Sequence, residues 1–143
     1  MRATSQGATS AVFRDSSGRL LTGFAAKITT ASPLIAESEA IRTALIAAKN
    51  LELQQIIIES DNLLLIQAIK SKSTIGEVDS ILQDIHHLAA EIPHCEFTWT
   101  PREGNLVADL VAGLAVANIL RPNWSSDPPR QVMEALRSEL LWR

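Results

Sequence analysis

Three carboxylates stand where their neighbours give no ordinary reason for a charge: Glu37, Asp61 and Asp109. Asp109 lies in an almost wholly apolar run that begins at Asn105, and it is the only acidic residue between Glu103 and Asp127. Helical spacing aligns it with Asn105, Ala112, Gly113 and Val116, which leave room on one face, while Leu106, Leu110 and Leu114 fill a neighbouring face. Glu37 precedes Ile41 by four and Ala44 by seven, which puts it on a buried stripe, whereas Glu39 precedes Arg42 by three and faces solvent with it. Asp61 follows the run Ile56-Ile57-Ile58 at the carboxyl end of a buried strand, the edge where open α/β sheets place ligands. Each position also has a plainer reading: stabilisation by a helix dipole for Glu37 and Asp109, and an N-cap for Asp61. Gathered in one crevice, the three would repel strongly unless divalent cations neutralised them. Carboxylates without a histidine or cysteine pattern favour Mg²⁺, or Mn²⁺, over zinc. Such a set suits two-metal hydrolysis of a phosphodiester.

The elements that must carry these residues can be read in order. Ala8 to Phe13 and Leu20 to Thr30 are strands joined through Asp15-Ser16-Ser17-Gly18, a β-hairpin. Pro33 after Ser32 opens an amphipathic helix, Leu34 to Asn50, with Ile41, Ala44, Leu45 and Ala48 on one face. Gln55 to Ser60 reads as a strand buried on both faces, and Asp61-Asn62 then caps a helix, Leu63 to Ile69. Lys70 to Gly76 is a polar loop, Val78 to Glu91 a helix ended by Pro93, and Glu96 to Thr100 a last strand. After the turn Pro101 to Gly104 comes the helix that holds Asp109. A proline-punctuated connector, Arg121 to Pro129, leads to a final helix, Arg130 to Leu141. This order predicts an α/β domain around a mixed sheet.

With 143 residues and 46% hydrophobic content, the chain fits one domain with a sizeable core. Its net charge of -3 supplies no strong positive field of the kind that announces a nucleic-acid binder by itself. One cysteine, Cys95, excludes an intramolecular disulfide and suits a reducing compartment, so an intracellular location, nucleus or cytoplasm, is expected. No apolar run approaches the ~20 residues of a membrane span. His86 and His87 are adjacent and point apart, and His94 follows a proline, so all three read as surface or rim residues. Trp124 and Trp142 read as rings that dock the tail onto the core. Lys49, Lys70 and Lys72 read as solvated surface, with a modest phosphate-facing patch as the sharper alternative.

Four segments in sequence order then resemble one family. AVFRDSSGRLLTGFAAKI is similar to the second and third strands of the ribonuclease H-like domain in its reverse-transcriptase-associated form, abundant in plant genomes and non-LTR retroelements. SPLIAESEAIRTALIAAK resembles its first helix, IIIESDNLLLIQAI its fourth strand and glutamate-serine-aspartate turn, and WTPREGNLVADLVAGLA its proline-arginine, asparagine and alanine-aspartate segment. The resemblance runs over about residues 7 to 129, and NWSSDPP is similar to the ending of many plant members. It implies a ribonuclease H-like fold over residues 1–120, followed at 121–143 by the connector and helix. The family's metal-binding carboxylates carry over to Glu37, Asp61 and Asp109, and Arg102 and Asn105 match positions at the site's rim, with Arg102 facing substrate phosphate. The implied substrate is an RNA–DNA hybrid, read through 2′-hydroxyls and backbone shape, by a monomer with no membrane partner. Trp99 replaces a histidine found in many relatives. The family also begins with a central strand bearing an aspartate-glycine pair, and this sequence starts too late to show it. A truncated or fragmentary chain is therefore expected, with catalysis feeble or absent, or a non-catalytic binding remnant in its place.

Overall fold

The structure is a computed structural model that describes residues 5–14, 17, 20–30, 32–101, 106–117 and 119–142. The elements run β1 (Ser5–Arg14), β2 (Leu20–Thr30), α1 (Pro33–Asn50), β3 (Gln55–Ser60), α2 (Leu63–Ser71), a 3₁₀ turn (Gly76–Val78), α3 (Asp79–Ala90), β4 (His94–Trp99), α4 (Leu106–Val116) and α5 (Arg130–Trp142). They form two compact units, one from Ser32–Thr100 and one from the hairpin together with α4, the connector and α5.

The first unit is a strand–helix–helix–strand crossover backed by α1. Ser32 caps α1 by accepting from the Ile35 N–H at 3.3 Å, and Pro33 follows at the start of the helix, where a missing N–H costs nothing. The stripe of Ile41, Ala44, Leu45 and Ala48 is buried as the spacing predicts. It meets Val78, Ile81, Leu82 and Ile85 from the 3₁₀ turn and α3, with which α1 packs. Leu65, Ile66, Ala68 and Ile69 complete this core from α2. Burying each of these Leu or Ile side chains contributes about 1.5–3 kcal/mol. Crossover connections of this kind make strands parallel, and β3 and β4 pair in parallel register from Gln55 opposite His94 to Ser60 opposite Trp99. The last strand thus begins two residues earlier than its side-chain alternation predicts, because the His94 N–H closes onto the Gln54 carbonyl at 3.0 Å directly after Pro93.

In the second unit, β1 and β2 are antiparallel, with an irregular register between Phe13 and Arg14. Val107 and Val111 of α4, Trp124 of the connector and Val132 of α5 form a buried cluster, against which Val12, Leu20, Leu110 and Leu136 pack. Trp124 thus docks the connector as expected from its ring, while the side chain of Trp142 lies outside the described residues. Among the described residues, the antiparallel and parallel pairings expected from the sequence are seen as two ladders, β1–β2 and β3–β4. Each is closed by its own local connection, a hairpin in one case and helices in the other. Among the described residues, no helix is long and apolar enough to cross a membrane.

Lys72 ends α2 in the left-handed region at φ 57°, with its N–H reaching the Ala68 and Ile69 carbonyls. A side chain there costs more than the flexibility of glycine does. Lys72→Gly should therefore stabilise the chain by roughly 0.5–1 kcal/mol, read as a higher midpoint in urea unfolding.

Candidate functional site

The turn that leaves β3 is held by polar contacts from three other elements or segments. Ser60, only 2% exposed, sits on the strand face shared with Ile56 and Ile58, so its hydroxyl needs partners inside the protein. It accepts from the Asn62 N–H at 3.1 Å and donates to Glu37 Oε2 at 3.4 Å, a long contact that joins the turn to α1. The Ser60 carbonyl accepts from the Thr100 N–H at 2.9 Å, extending the parallel ladder by one rung. The Asp61 carbonyl accepts from the indole Nε1–H of Trp99 at 3.2 Å. Asn62 then caps α2, its side chain accepting from the Leu65 N–H at 3.0 Å.

These contacts remove two of the plainer readings. Asn62 is the N-cap of α2, so Asp61 is not, and its half-buried carboxylate makes no hydrogen bond or ion pair among the described residues. Glu37 is likewise not a first-turn residue: α1 starts at Pro33 and holds no acid in its first turn, where the dipole acts. Asp109 does lie in the first turn of α4, so a favourable dipole contact applies there. Its position belongs to the other unit. Arg102 and Asn105 lie outside the described residues.

Ser60 therefore ties Glu37 of α1 to the turn that carries Asp61 at the carboxyl end of β3. Hard oxygen donors fit Mg²⁺, which commonly takes only one or two protein carboxylates and keeps several waters. Among the described residues, no set of three or more histidine, cysteine, aspartate or glutamate side chains is arranged to hold a metal ion.

Several other polar groups are engaged elsewhere or face solvent. Glu39 chelates Arg42 through both oxygens, at 2.6 and 2.7 Å, and Arg42 also reaches Asp84 of α3 at 2.8 Å. Burial lowers the Arg42 pKa, but these two carboxylates outweigh it and hold the guanidinium above its ordinary value. Glu39 is thus only partly solvated, since its side chain lies against Arg42. Lys49 pairs with Glu91, while Lys70 and Lys72 are exposed. His86 Nε2 contacts the Ile69 carbonyl at 3.3 Å, and His87 and His94 are exposed. Sequence reasoning passed over Ser60 and the indole of Trp99. The signal for Ser60 was available: a hydroxyl closing an isoleucine face, one residue before an unexplained aspartate.

Asn62→Ala should cost about 1 kcal/mol as a lost helix cap. Asp61→Asn should change stability by less than about 0.5 kcal/mol, both read by denaturant unfolding. Cys95 of β4 is half-buried, and burial raises its thiol pKa. Between the ordinary thiol value and the raised one, the folded chain keeps a proton that the unfolded chain has lost, so stability falls as pH rises through that window. Iodoacetamide at about pH 8.5 should correspondingly alkylate the folded chain more slowly than the urea-unfolded chain.

No curated protein matches this chain in sequence. Solved structures show the fold. The N-terminal RNase H domain of a Mycobacterium tuberculosis protein superposes with a TM-score of 0.69 at 18% identity, covering 80% of this chain and 93% of that one. RNase H1 of Halobacterium salinarum gives a TM-score of 0.70 at 20% identity over 79% and 96% of the two chains. LC11-RNase H1, solved in complex with an RNA/DNA hybrid, gives 0.70 at 21% over 81% and 98%. The sequence profile of the reverse transcriptase-like family matches residues 2–115, a span that runs from the hairpin through Glu37 and Asp61 to Asp109. By that match and this architecture, the chain belongs to the reverse transcriptase-like family and has a ribonuclease H-like fold.

Proposed function

We propose that this chain is a nucleic-acid-binding ribonuclease H-like domain whose ligand is an RNA–DNA hybrid, engaged at the carboxyl ends of β3 and β4, with hydrolysis weak or absent. The observation that carries the reading is the Glu37–Ser60–Asp61 arrangement: one buried hydroxyl ties the Glu37 carboxylate to the turn that carries Asp61, and neither acid serves as a cap or a first-turn dipole residue. The structural likeness to an RNase H1 solved with a hybrid supports the choice of ligand.

In this reading Glu37, Asp61 and Asp109 hold Mg²⁺, with Mn²⁺ as the alternative ion. When bound, the ions supply a water activated for attack and a counter-charge for the leaving oxygen. Ser60 orients Glu37 and fixes the turn, Asn62 leaves the Asp61 carboxylate free to face ligand, and Arg102 and Asn105 meet the substrate backbone at the rim. Recognition through 2′-hydroxyls and backbone shape needs few base contacts. With a net charge of -3, binding should depend on the divalent ion more than on a basic surface.

A second reading, a non-catalytic module that binds nucleic acid or a protein partner, is favoured by one feature: neither β1 nor β2 carries an acidic residue.

The test incubates the purified chain and Asp61→Asn with labelled RNA–DNA hybrid, in Mg²⁺ and then Mn²⁺. Hybrid should be bound, any cleavage should be slow, and Asp61→Asn should abolish it. Cleavage that survives this substitution rejects the site. Binding without cleavage in either metal selects the non-catalytic reading, and no binding at all rejects both nucleic-acid proposals.

A further inference from the structure

The Asp61 turn has one contact that neither core packing nor the strand ladder requires. Trp99 ends β4 directly opposite Ser60, and its indole Nε1–H donates to the Asp61 main-chain carbonyl at 3.2 Å. The ring is 45% exposed, so burial is not what holds it there. Among the described contacts, the turn it reaches is otherwise held through its flanks, by the Asn62 N–H and Glu37 on the Ser60 hydroxyl, the Thr100 N–H on the Ser60 carbonyl and the Leu65 N–H on the Asn62 side chain. Among the described contacts, the indole is the only one made to Asp61 itself.

We propose that Trp99 is a positioning residue for Asp61. By fixing the carbonyl of that residue, the indole N–H removes the peptide rotation that would otherwise swing the carboxylate away from Glu37, and so preorganises the pair for a divalent cation. The inference rests on the reading of Asp61 as a cation ligand. Groups that orient ligands from outside commonly matter about 10-fold or more in metal affinity. The side chain at this position thus acts through its N–H donor, and its ring serves as the spacer that carries the donor across from β4 to the turn.

The test compares Mn²⁺ binding to the full chain, to Trp99→Phe and to Asp61→Asn by titration calorimetry. Replacement of Trp99 by benzothienylalanine, which keeps the ring shape and exchanges the N–H for sulfur, adds an isosteric variant. The paramagnetic broadening of the Trp99 indole ¹⁵N–¹H signal provides a second readout. Mn²⁺ should broaden that signal in the unsubstituted chain and not in Asp61→Asn. Both Trp99 variants should keep the amide spectrum of a folded chain and bind Mn²⁺ about 10-fold more weakly. A merely structural role would lower the melting temperature and leave Mn²⁺ affinity unchanged. Unchanged affinity in the benzothienylalanine variant, with Asp61→Asn still defective, overturns the positioning role and leaves the cation site standing. Equal binding by Asp61→Asn, or none by any variant, overturns the site and the positioning role together.

Discussion

A hydroxyl buried at the end of an apolar strand must find both a donor and an acceptor, and the way Ser60 does so governs the site. Its acceptor role fixes the Asn62 N–H and so the start of α2, while its donor role draws in the Glu37 carboxylate from α1. Apolar packing of α1 against α3, and of α2 against β4, brings these elements close. The hydroxyl then selects, from the arrangements that packing allows, the one in which Glu37 lies against the turn that carries Asp61. The net value of such hydrogen bonds is only about 1 kcal/mol each, but leaving the buried hydroxyl unsatisfied would cost more.

The parallel ladder supplies the second constraint. Pairing of Ser60 with Trp99 sets the end of β4 beside the turn, and the two residues that finish β4 and follow it, Trp99 and Thr100, both donate into it. A shift of one residue in this register would turn Ile56, Ile58 and Ser60 to the opposite face and carry the indole away from Asp61. Fold and site therefore share one specification in this unit. The Thr100 hydroxyl, buried without a hydrogen-bond partner, shows the other side of this arrangement, since here the backbone of the residue does the work and its side chain is left unsatisfied.

Two cations of this unit are engaged by other carboxylates. Arg42 is engaged by Glu39 and Asp84, and Lys49 by Glu91, so neither cation is released toward Glu37 or Asp61. Two carboxylates carried to one strand end attract a metal ion, at the expense of mutual repulsion when none is bound. Such a pair contributes little to stability and has a ready explanation in ligand binding.

Much of this chain is legible in its residues because the signals are local. Hydrophobic period, Ser32-Pro33, the Ile56-Ile57-Ile58 run and the Pro93 stop reflect helix and strand geometry within a few residues, and the elements lie close to where those signals put them. Glu37 and Asp61 also stand out in sequence, since a charge on an apolar stripe or at a strand end is unusual. What periodicity does not contain is which of two adjacent polar residues caps a helix. Asn62 takes that role because Ser60 and Trp99 hold the residues around it, and their partners lie 23 and 38 positions away in the chain. A sequence expresses such distant contacts only through folding, when burial removes water and most polar groups must find a partner within the protein. The composition and pattern of this chain determined its elements and nominated its carboxylates; tertiary structure decided that Glu37 is tied to the turn carrying Asp61, because a desolvated hydroxyl had to be satisfied across elements.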